Sequence, residues 1–444
     1  MLAMNISEVK YPKILVISEP FHQLTGTGIT MCNLFKDWPK EKLALVSGEN
    51  IFKNDFSFCN NLFFLKSKRY IEILYYFAKA KKAPNADRVL SSADFVNKEN
   101  ASANKSNMGK ELALSLMNII GITPIIKTPV FSNNFKKWFE NYNPDLIYTC
   151  LDKYEYFDFL KKISIEYNKP LIVHLMDDLI KLMPPHGLLY FYWRWRMNKD
   201  FNYLLANAKS RLTICDYMSV IYKRRCGLDS VSFLNPIEKE IWLSTSKNDW
   251  SKSNPFRILY AGRLGFDNIA LLHKLAKIVD EFNSSDCKIQ LDLRISSLSN
   301  INEINKFKKY KHTKLLGYIH HDRIHEVLPQ YDLLYLPLGF DKKTKDIYSV
   351  SMSTKIPEYM ISGTPVLVNA PRETAYFDYA NSHDWGYVLP SDKAEDIKYA
   401  VMELFNNGNL RETLGKNAKI ISLKNHDAVT VRENFRKAIV KAIE

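Results

Sequence analysis

Much of what a chain of 444 residues could carry is missing from this one. Its six cysteines, Cys32, Cys59, Cys150, Cys215, Cys226 and Cys287, lie far apart, with no C-x-x-C pair and no histidine cluster at metal spacing. That argues against a disulfide framework and a zinc module and reads as reduced, buried thiols in a cytoplasmic protein. No segment offers the ~20 apolar residues that span a bilayer. The longest weakly polar run, Leu112 to Ile126, is interrupted by Asn118 and Pro124. The opening MLAMNISEVK lacks the charged-then-apolar order of a signal peptide. Asp-x-Asp occurs nowhere, and no recognised nucleic-acid module is present.

What is present describes a folded protein with a basic surface. Hydrophobic residues make up 46% and charged residues 25%, close to average globular usage. At roughly 100 to 200 residues per domain the length allows two or three domains. Lys and Arg total 62 against 48 Asp and Glu, a formal charge of +14. Such a surface favours anionic partners: nucleic acid, anionic lipid or phosphorylated small molecules. An aromatic content of 13% beside that charge suits a membrane interface.

The hydrophobic pattern alternates strand and helix. Tyr11 to Ser18, then Gly26 and Gly28, then a helical stretch ending near Trp38 read as strand, glycine loop, helix. Leu43 to Ser47 is a second strand, and Glu49 to Asn107 is expected to be an insertion with a mobile loop. Asn143 to Thr149 and Lys169 to Asp178 enclose a helix over Tyr154 to Tyr167. Uninterrupted apolar strands separated by helices imply a parallel sheet covered on both faces. A long aromatic helix over Leu188 to Ala208, a strand over Arg211 to Cys215, a helix over Tyr217 to Cys226 and a strand over Val231 to Ile237 complete this half. A second βα series begins at Phe256 to Gly265 and runs through strands at Lys288 to Ile295, Asp332 to Pro337 and Pro365 to Asn369. The expected helices of this half lie over Ile269 to Phe282, Asp322 to Leu328, Thr354 to Ile361, Ala394 to Phe405, Arg411 to Ser422 and Asp427 to Ile443. The fold class is α/β, with two doubly wound parallel-sheet domains over residues 1–236 and 237–426, and a final helix over 427–444 that could pack back on the first. The cleft between two such halves is the default place for a ligand.

Two stretches carry candidate chemistry. Gly26, Thr27 and Gly28 stand where glycines let backbone N–H groups approach an anion. The third glycine of a dinucleotide fingerprint is absent, Met31 taking its place, and a tight turn explains the same residues. Ser353 to Pro371, STKIPEYMISGTPVLVNAP, puts Ser353, Thr354, Lys355 and Glu358 at the start of a helix that follows a strand. Lys355 adds a point charge for a phosphate, and Glu358 can accept from two vicinal hydroxyls such as those of a ribose. The plainer reading is a capped helix whose dipole Glu358 complements. Elsewhere, His174 ends an apolar strand and is either a core residue or a donor to a sugar hydroxyl. Asp177 and Asp178 lack the further ligands of a metal site and read as a helix cap.

Two segments of the first half are basic and aromatic. Lys66 to Lys82 puts Tyr70, Ile73, Leu74 and Phe77 on one side and Lys68, Lys79 and Lys82 on the other. Tyr190 to Tyr203 mixes aromatics with Arg194, Arg196 and Lys199. Either helix alone reads as core packing with a solvated face; together they point to a peripheral contact with an anionic membrane.

These pieces together resemble the GT-B fold glycosyltransferases, in particular the large retaining group of family 4-like enzymes, glycosyl transferases group 1. The likeness spans nearly the whole chain and is most specific at E-Y-M-I-S-G-T-P-V-L, which is similar to the family's E-A-x-A-x-G-x-P-V segment. The resemblance implies two Rossmann-like domains, an acceptor-binding one followed by a nucleotide-sugar-binding one. It implies that Glu358 binds the ribose and Arg263 the pyrophosphate. It further implies that Gly26 to Gly28 close on the phosphate or donor sugar and that His174 sits at the reacting centre. Two departures stand out: Val350 where an acidic residue often contacts the donor sugar, and Asp267 and Asn268 where a lysine often follows the G-R-L arginine, a charge that Lys355 could replace. The implied activity is transfer of a sugar from a nucleotide sugar to a glycan or lipid-linked acceptor with retention, in surface polysaccharide synthesis, with no metal or other cofactor and no nucleic acid. With no confident carboxylate nucleophile in view, positive groups around the leaving diphosphate carry the catalysis. The rival readings are a nucleotide-sugar epimerase of the same fold and a non-catalytic nucleotide- or glycan-binding protein.

Overall fold

The computed structural model describes residues 11–65, 87–90, 94, 119, 128–182, 187–283, 288–296 and 299–444. The helix expected over Lys66 to Lys82, most of the stretches 83–107 and 112–126, and Cys287 lie outside them. The chain divides into two compact units, Met1–Phe233 with Arg432–Glu444, and Leu234–Val431.

The first unit is built on eight strands: β1 (Ile14–Ile17), β2 (Leu43–Ser47), β3 (Asn61–Phe64), β4 (Arg88–Leu90), β5 (Leu146–Thr149), β6 (Leu171–Leu175), β7 (Ser210–Thr213) and β8 (Val231–Ser232). Their order is β4-β3-β2-β1-β5-β6-β7-β8, parallel throughout except at β3–β4. Helices cover both faces, so β1, β2, β5 and β6 are buried at every position. That is why they read as continuous apolar runs and not as alternating ones. Register places Ile17 beside Thr149, so the residues after β1 and those after β5 emerge together. Sheet order reverses there, between β1 and β5.

Three expectations change. Within the expected insertion, Asn61–Phe64 is a strand of the sheet, parallel to β2, and Arg88–Leu90 pairs antiparallel beside it. Of the strand expected over Val231 to Ile237, Val231–Ser232 pairs with β7, and Ile237 makes an isolated parallel bridge to Asp427. The first helix spans Gly26–Leu34 and starts on the glycines themselves, capped by Thr25 Oγ1 accepting from Gly28 N.

The last helix, Ala428–Lys441, gives its residues from Arg432 onward to the first unit. Phe435 is 0% exposed, with ring centroids 5.0 Å from Phe35, 5.3 Å from Phe233 and 6.3 Å from Tyr148. Arg432 Nε donates to the carbonyl of Asn33 at 2.7 Å.

The second unit has six parallel strands, β9 (Phe256–Gly262), β10 (Ile289–Ile295), β11 (Thr313–Leu316), β12 (Leu333–Pro337), β13 (Val366–Asn369) and β14 (Tyr387–Leu389), ordered β11-β10-β9-β12-β13-β14. Successive residues of β9 serve opposite faces, as a strand requires. Ile258 and Tyr260 join the layer formed with helices Ile269–Phe282 and Ala394–Asn406, while Leu259 joins Ile356, Tyr359, Met360 and Trp385 on the other side. Two helices absent from the sequence reading, Lys342–Tyr348 and Ala375–His383, are set by Asp341 and Thr374 as N-caps. The helix expected over Asp322 to Leu328 is α-helical only at Ile324–Val327, between 3-10 turns. Here too the sheet order reverses once, between β9 and β12.

Candidate functional site

Ligands of doubly wound sheets bind beyond the carboxyl ends of the strands where the order reverses. In the second unit that place is the loop after β9, together with whatever packs beside it. Gly262 ends the strand with φ +149, a conformation that favours glycine. The turn is tied by Asn268, whose side chain donates to Arg263 O at 3.1 Å and accepts from Gly265 N at 3.1 Å. Asn268 is therefore a loop-former, which accounts for one of the two departures noted above.

Lys355 reaches this loop from the start of helix Lys355–Ile361. The helix begins where Ser353 Oγ accepts from Lys355 N at 3.3 Å. Pro357 is tolerated in its first turn, where a backbone N–H would have no partner in the helix. Gly363, at φ +72, closes it. The ammonium of Lys355 lies 3.4 Å from Tyr260 Oη and 4.7 Å from that ring's centroid, in the space a side chain on Gly262 would fill. Tyr260 is held from the other side by donating to Arg263 O at 2.5 Å. Burial pushes the Lys355 ammonium down to about 8, against the pull of Asp267; Arg263 also lowers it, and Glu358 raises it.

Arg263 is exposed and pairs with Asp267 at 3.5 Å. A surface pair of this length contributes little, so the guanidinium can exchange Asp267 for an incoming anion. Glu358 is half-buried within electrostatic reach of Lys355. Arg263, Lys355 and Glu358 are thus brought together at the end of β9, with Ser353 at the base of the helix. Thr354 precedes the helix without a capping side chain, its carbonyl accepting from Asn235 Nδ2 at 3.4 Å. Val350 is 1% exposed, its side chain buried. Tyr260 and Gly262, which shape the seat of Lys355, were not singled out from sequence, although A-G-R-L contains the glycine.

In the first unit the structure corrects the position given to His174. It lies inside β6, 0% exposed, with Nδ1 2.6 Å from Tyr148 Oη and its ring beside Phe435. Burial pushes it down to about 3, so it is neutral and inaccessible. Gly28 packs against His22, whose carbonyl and ring leave no room for a Cβ, so the missing side chain serves packing; Gly26 is exposed. Asp178 is buried and bonded to Arg225 at 2.6 Å and Tyr222 Oη at 3.1 Å, an internal anchor and not a cap. Among the described residues no group of three or more His, Cys, Asp or Glu gathers to hold a metal ion.

The aromatic helix spans Tyr190–Asn207. Trp193, Met197, Phe201, Leu204 and Leu205 face the core, while Leu188 (82% exposed), Phe191 (83%) and Trp195 stand out, with Lys199 5.2 Å over the Trp195 ring. Arg196 is drawn inward to Asp158 and Asp200, at 3.6 and 3.5 Å. Among the described residues no helix is long and apolar enough to cross a membrane.

No family model and no curated protein matches the sequence. Solved structures do. HepE of Anabaena, in complex with UDP, superposes with a TM-score of 0.58 at 13% identity over 96% of this chain and 99% of its own. Sucrose-phosphate synthase of Thermosynechococcus elongatus gives 0.60 at 12% identity, over 97% and 99%. The trehalose-6-phosphate synthase OtsA gives 0.54 at 11%, over 96% and 98%. A likeness running the length of both chains establishes the architecture: this protein has the two-unit GT-B fold of those structures.

Proposed function

We propose that the protein is a glycosyltransferase whose second unit binds a nucleotide-activated sugar and whose first unit receives a glycan or lipid-linked acceptor. The sugar is transferred with retention, in the making of a surface polysaccharide. The observation that carries this reading is the meeting of Lys355 and Arg263, with Glu358, where the second sheet reverses its order. HepE, which shares the fold, has been solved with UDP, with UDP and glucose, and with UDP-glucose.

On this reading Glu358 accepts from the ribose hydroxyls, while Lys355 and Arg263 hold the diphosphate. Negative charge grows on that diphosphate as the glycosidic bond breaks, and cations already in place stabilise it without reorganising. The acceptor hydroxyl attacks from the face the diphosphate leaves, and the departing oxygen takes its proton. His174, sealed in the core, has no part in this.

The test is direct. Glu358→Ala is expected to weaken UDP binding by about 10- to 100-fold, the worth of hydrogen bonds to a charged group. Arg263→Ala is expected to lower kcat/KM more than it changes ground-state affinity. Titration calorimetry and transfer assays over UDP-, GDP- and ADP-sugars measure both; unchanged values in both variants end the assignment.

Lys355 adds a pH signature. Its ammonium form predominates below about 8 and is lost above, so nucleotide affinity is expected to fall as pH rises through that value. Well above it the fall approaches about tenfold per pH unit for one linked proton. Lys355→Arg should abolish the fall while keeping affinity at neutral pH.

The exposed Phe191 and Trp195 and the nearby Lys199 support a peripheral contact with anionic lipid. Phe191→Ser with Trp195→Ser is expected to release the protein from vesicles containing phosphatidylglycerol without lowering its melting temperature. Equal flotation of variant and wild type on such vesicles would exclude this contact.

A further inference from the structure

Strand β9 outruns one of its neighbours. It pairs with β12 only at Ile258 and Leu259, whereas its pairing with β10 continues to Gly262. Past Leu259 one edge of β9 has no partner strand among the described residues, at the place where the second sheet reverses its order. Backbone groups on such an edge must be met by something else. We propose that Tyr359 is a positioning residue for Lys355 and Arg263: its hydroxyl stands in for the missing strand and fastens helix Lys355–Ile361 to the open end of β9.

The contact is reciprocal. Tyr359 Oη accepts from Ala261 N at 3.0 Å and donates to Ala261 O at 3.3 Å, across 98 residues of sequence. Burial raises the phenol well above its usual range, so it keeps its proton and serves as donor and acceptor at once. Ala261 is half-buried and stands between Tyr260 and Gly262, the two residues that shape the seat of Lys355. On the other edge of the strand, Gly262 O accepts from Ser296 N at 3.0 Å. The strand end is thus held from both sides, by backbone on one and by the Tyr359 hydroxyl on the other. Within the helix, Tyr359 follows Glu358 directly and lies four positions after Lys355. Residues three and four apart share a face of a helix, so the cation, the carboxylate and the fastening hydroxyl are presented together.

What the hydroxyl controls follows from its place. The Lys355 ammonium touches Tyr260 Oη and is faced by the charges of Asp267, Arg263 and Glu358. Burial beside the strand end is the main cause of its lowered value. With phenylalanine at position 359 the ring still fills its place in the apolar layer formed with Leu259, Ile356 and Met360. The N–H and C=O of Ala261 then turn to water, the strand end parts from the helix, and solvent reaches the ammonium. Lys355 then titrates nearer the ordinary lysine range, because desolvation no longer opposes its charge. Core packing by the ring alone leaves that titration where it was. Naming the site a nucleotide site rests on the glycosyltransferase reading; the fastening of Lys355 does not.

Competitive acetylation of the full chain with acetic anhydride across a pH series, read by mass spectrometry, follows the titration of Lys355 without any nucleotide. The wild-type midpoint is expected at about 8. Tyr359→Phe is expected to raise it by about one pH unit as the ammonium regains water. UDP affinity, measured by calorimetry, should fall about tenfold at neutral pH with the loss of two hydrogen bonds that hold the site. The decline of that affinity with rising pH should also move upward by the same interval, since the ammonium persists to higher pH. Hydrogen exchange at the Ala261 amide of the wild type, expected to be slow, keeps the test readable if Tyr359→Phe fails to fold. A Lys355 midpoint that is the same in variant and wild type, whatever happens to the melting temperature, makes Tyr359 core packing alone and overturns the proposal. So does an Ala261 amide that exchanges as fast as an unbonded one. A raised midpoint in a protein that binds no UDP supports the fastening and counts against the nucleotide reading alone.

Discussion

Phe435→Ala is expected to destabilise the first unit by about 3–5 kcal/mol, the cost of truncating a buried aromatic and leaving its cavity. That is a large share of the roughly 5–15 kcal/mol by which folded domains are stable. The residue stands nine positions before Glu444, in the last helix. Here the ring is fully buried and closes an aromatic cluster with Phe35, Trp38, Tyr148 and Phe233, residues separated from it by 200 positions or more. Calorimetry resolves the two units if they melt apart: the first unit's transition should move down while that of the second holds. A chain ending at Val431 should behave in the same way and more severely. Melting of Phe435→Ala at the wild-type temperature would mean that this ring does not support the first core.

Gly262→Ala is the second substitution with a large expected effect, and its two consequences separate. A Cβ at φ +149 is strained, at about 1–3 kcal/mol of stability. The same Cβ collides with the end of the Lys355 side chain. That chain is flexible and gives way, so the collision costs little stability and instead moves the ammonium out of its seat over Tyr260. Nucleotide affinity should therefore fall about as far as in Lys355→Met, and the losses of the two substitutions should not add, because they remove one interaction. Additive losses in a double-mutant cycle, or full affinity in Gly262→Ala, would show that the position of Lys355 is irrelevant to binding.

The strands that form the middle of each sheet, β1, β5, β6, β9, β12 and β13, were legible because strands buried on both faces are short apolar runs bounded by turn residues. Where that condition lapses, so does legibility. β3 was hidden in a segment read as an insertion, and β14 is only three residues long. Helix Lys342–Tyr348 is lysine-rich with one buried side chain, so it has no apolar stripe to recognise. Of the site, Arg263, Lys355 and Glu358 were visible as motif residues beside strand ends. His174 was not decidable, since a histidine at an apolar strand's end looks alike whether it faces solvent or core; Tyr148 and Phe435 surround it, and both come from elsewhere in the chain.

The order of polar and apolar residues along the chain is enough to dictate the α/β class, the parallel strands and the basic surface, because these follow from local periodicity and from charge. Which strand lies beside which is a different matter, set by how whole layers pack. Only in the folded chain does Thr149 Oγ1 reach Ile17 O, 132 residues away, bringing Asp152 to Ser18 and Glu19. The same holds for Lys355, whose ammonium meets Tyr260 across 95 residues. Local pattern carries no record of these meetings, since each depends on sheet order and on the close approach that a single glycine permits.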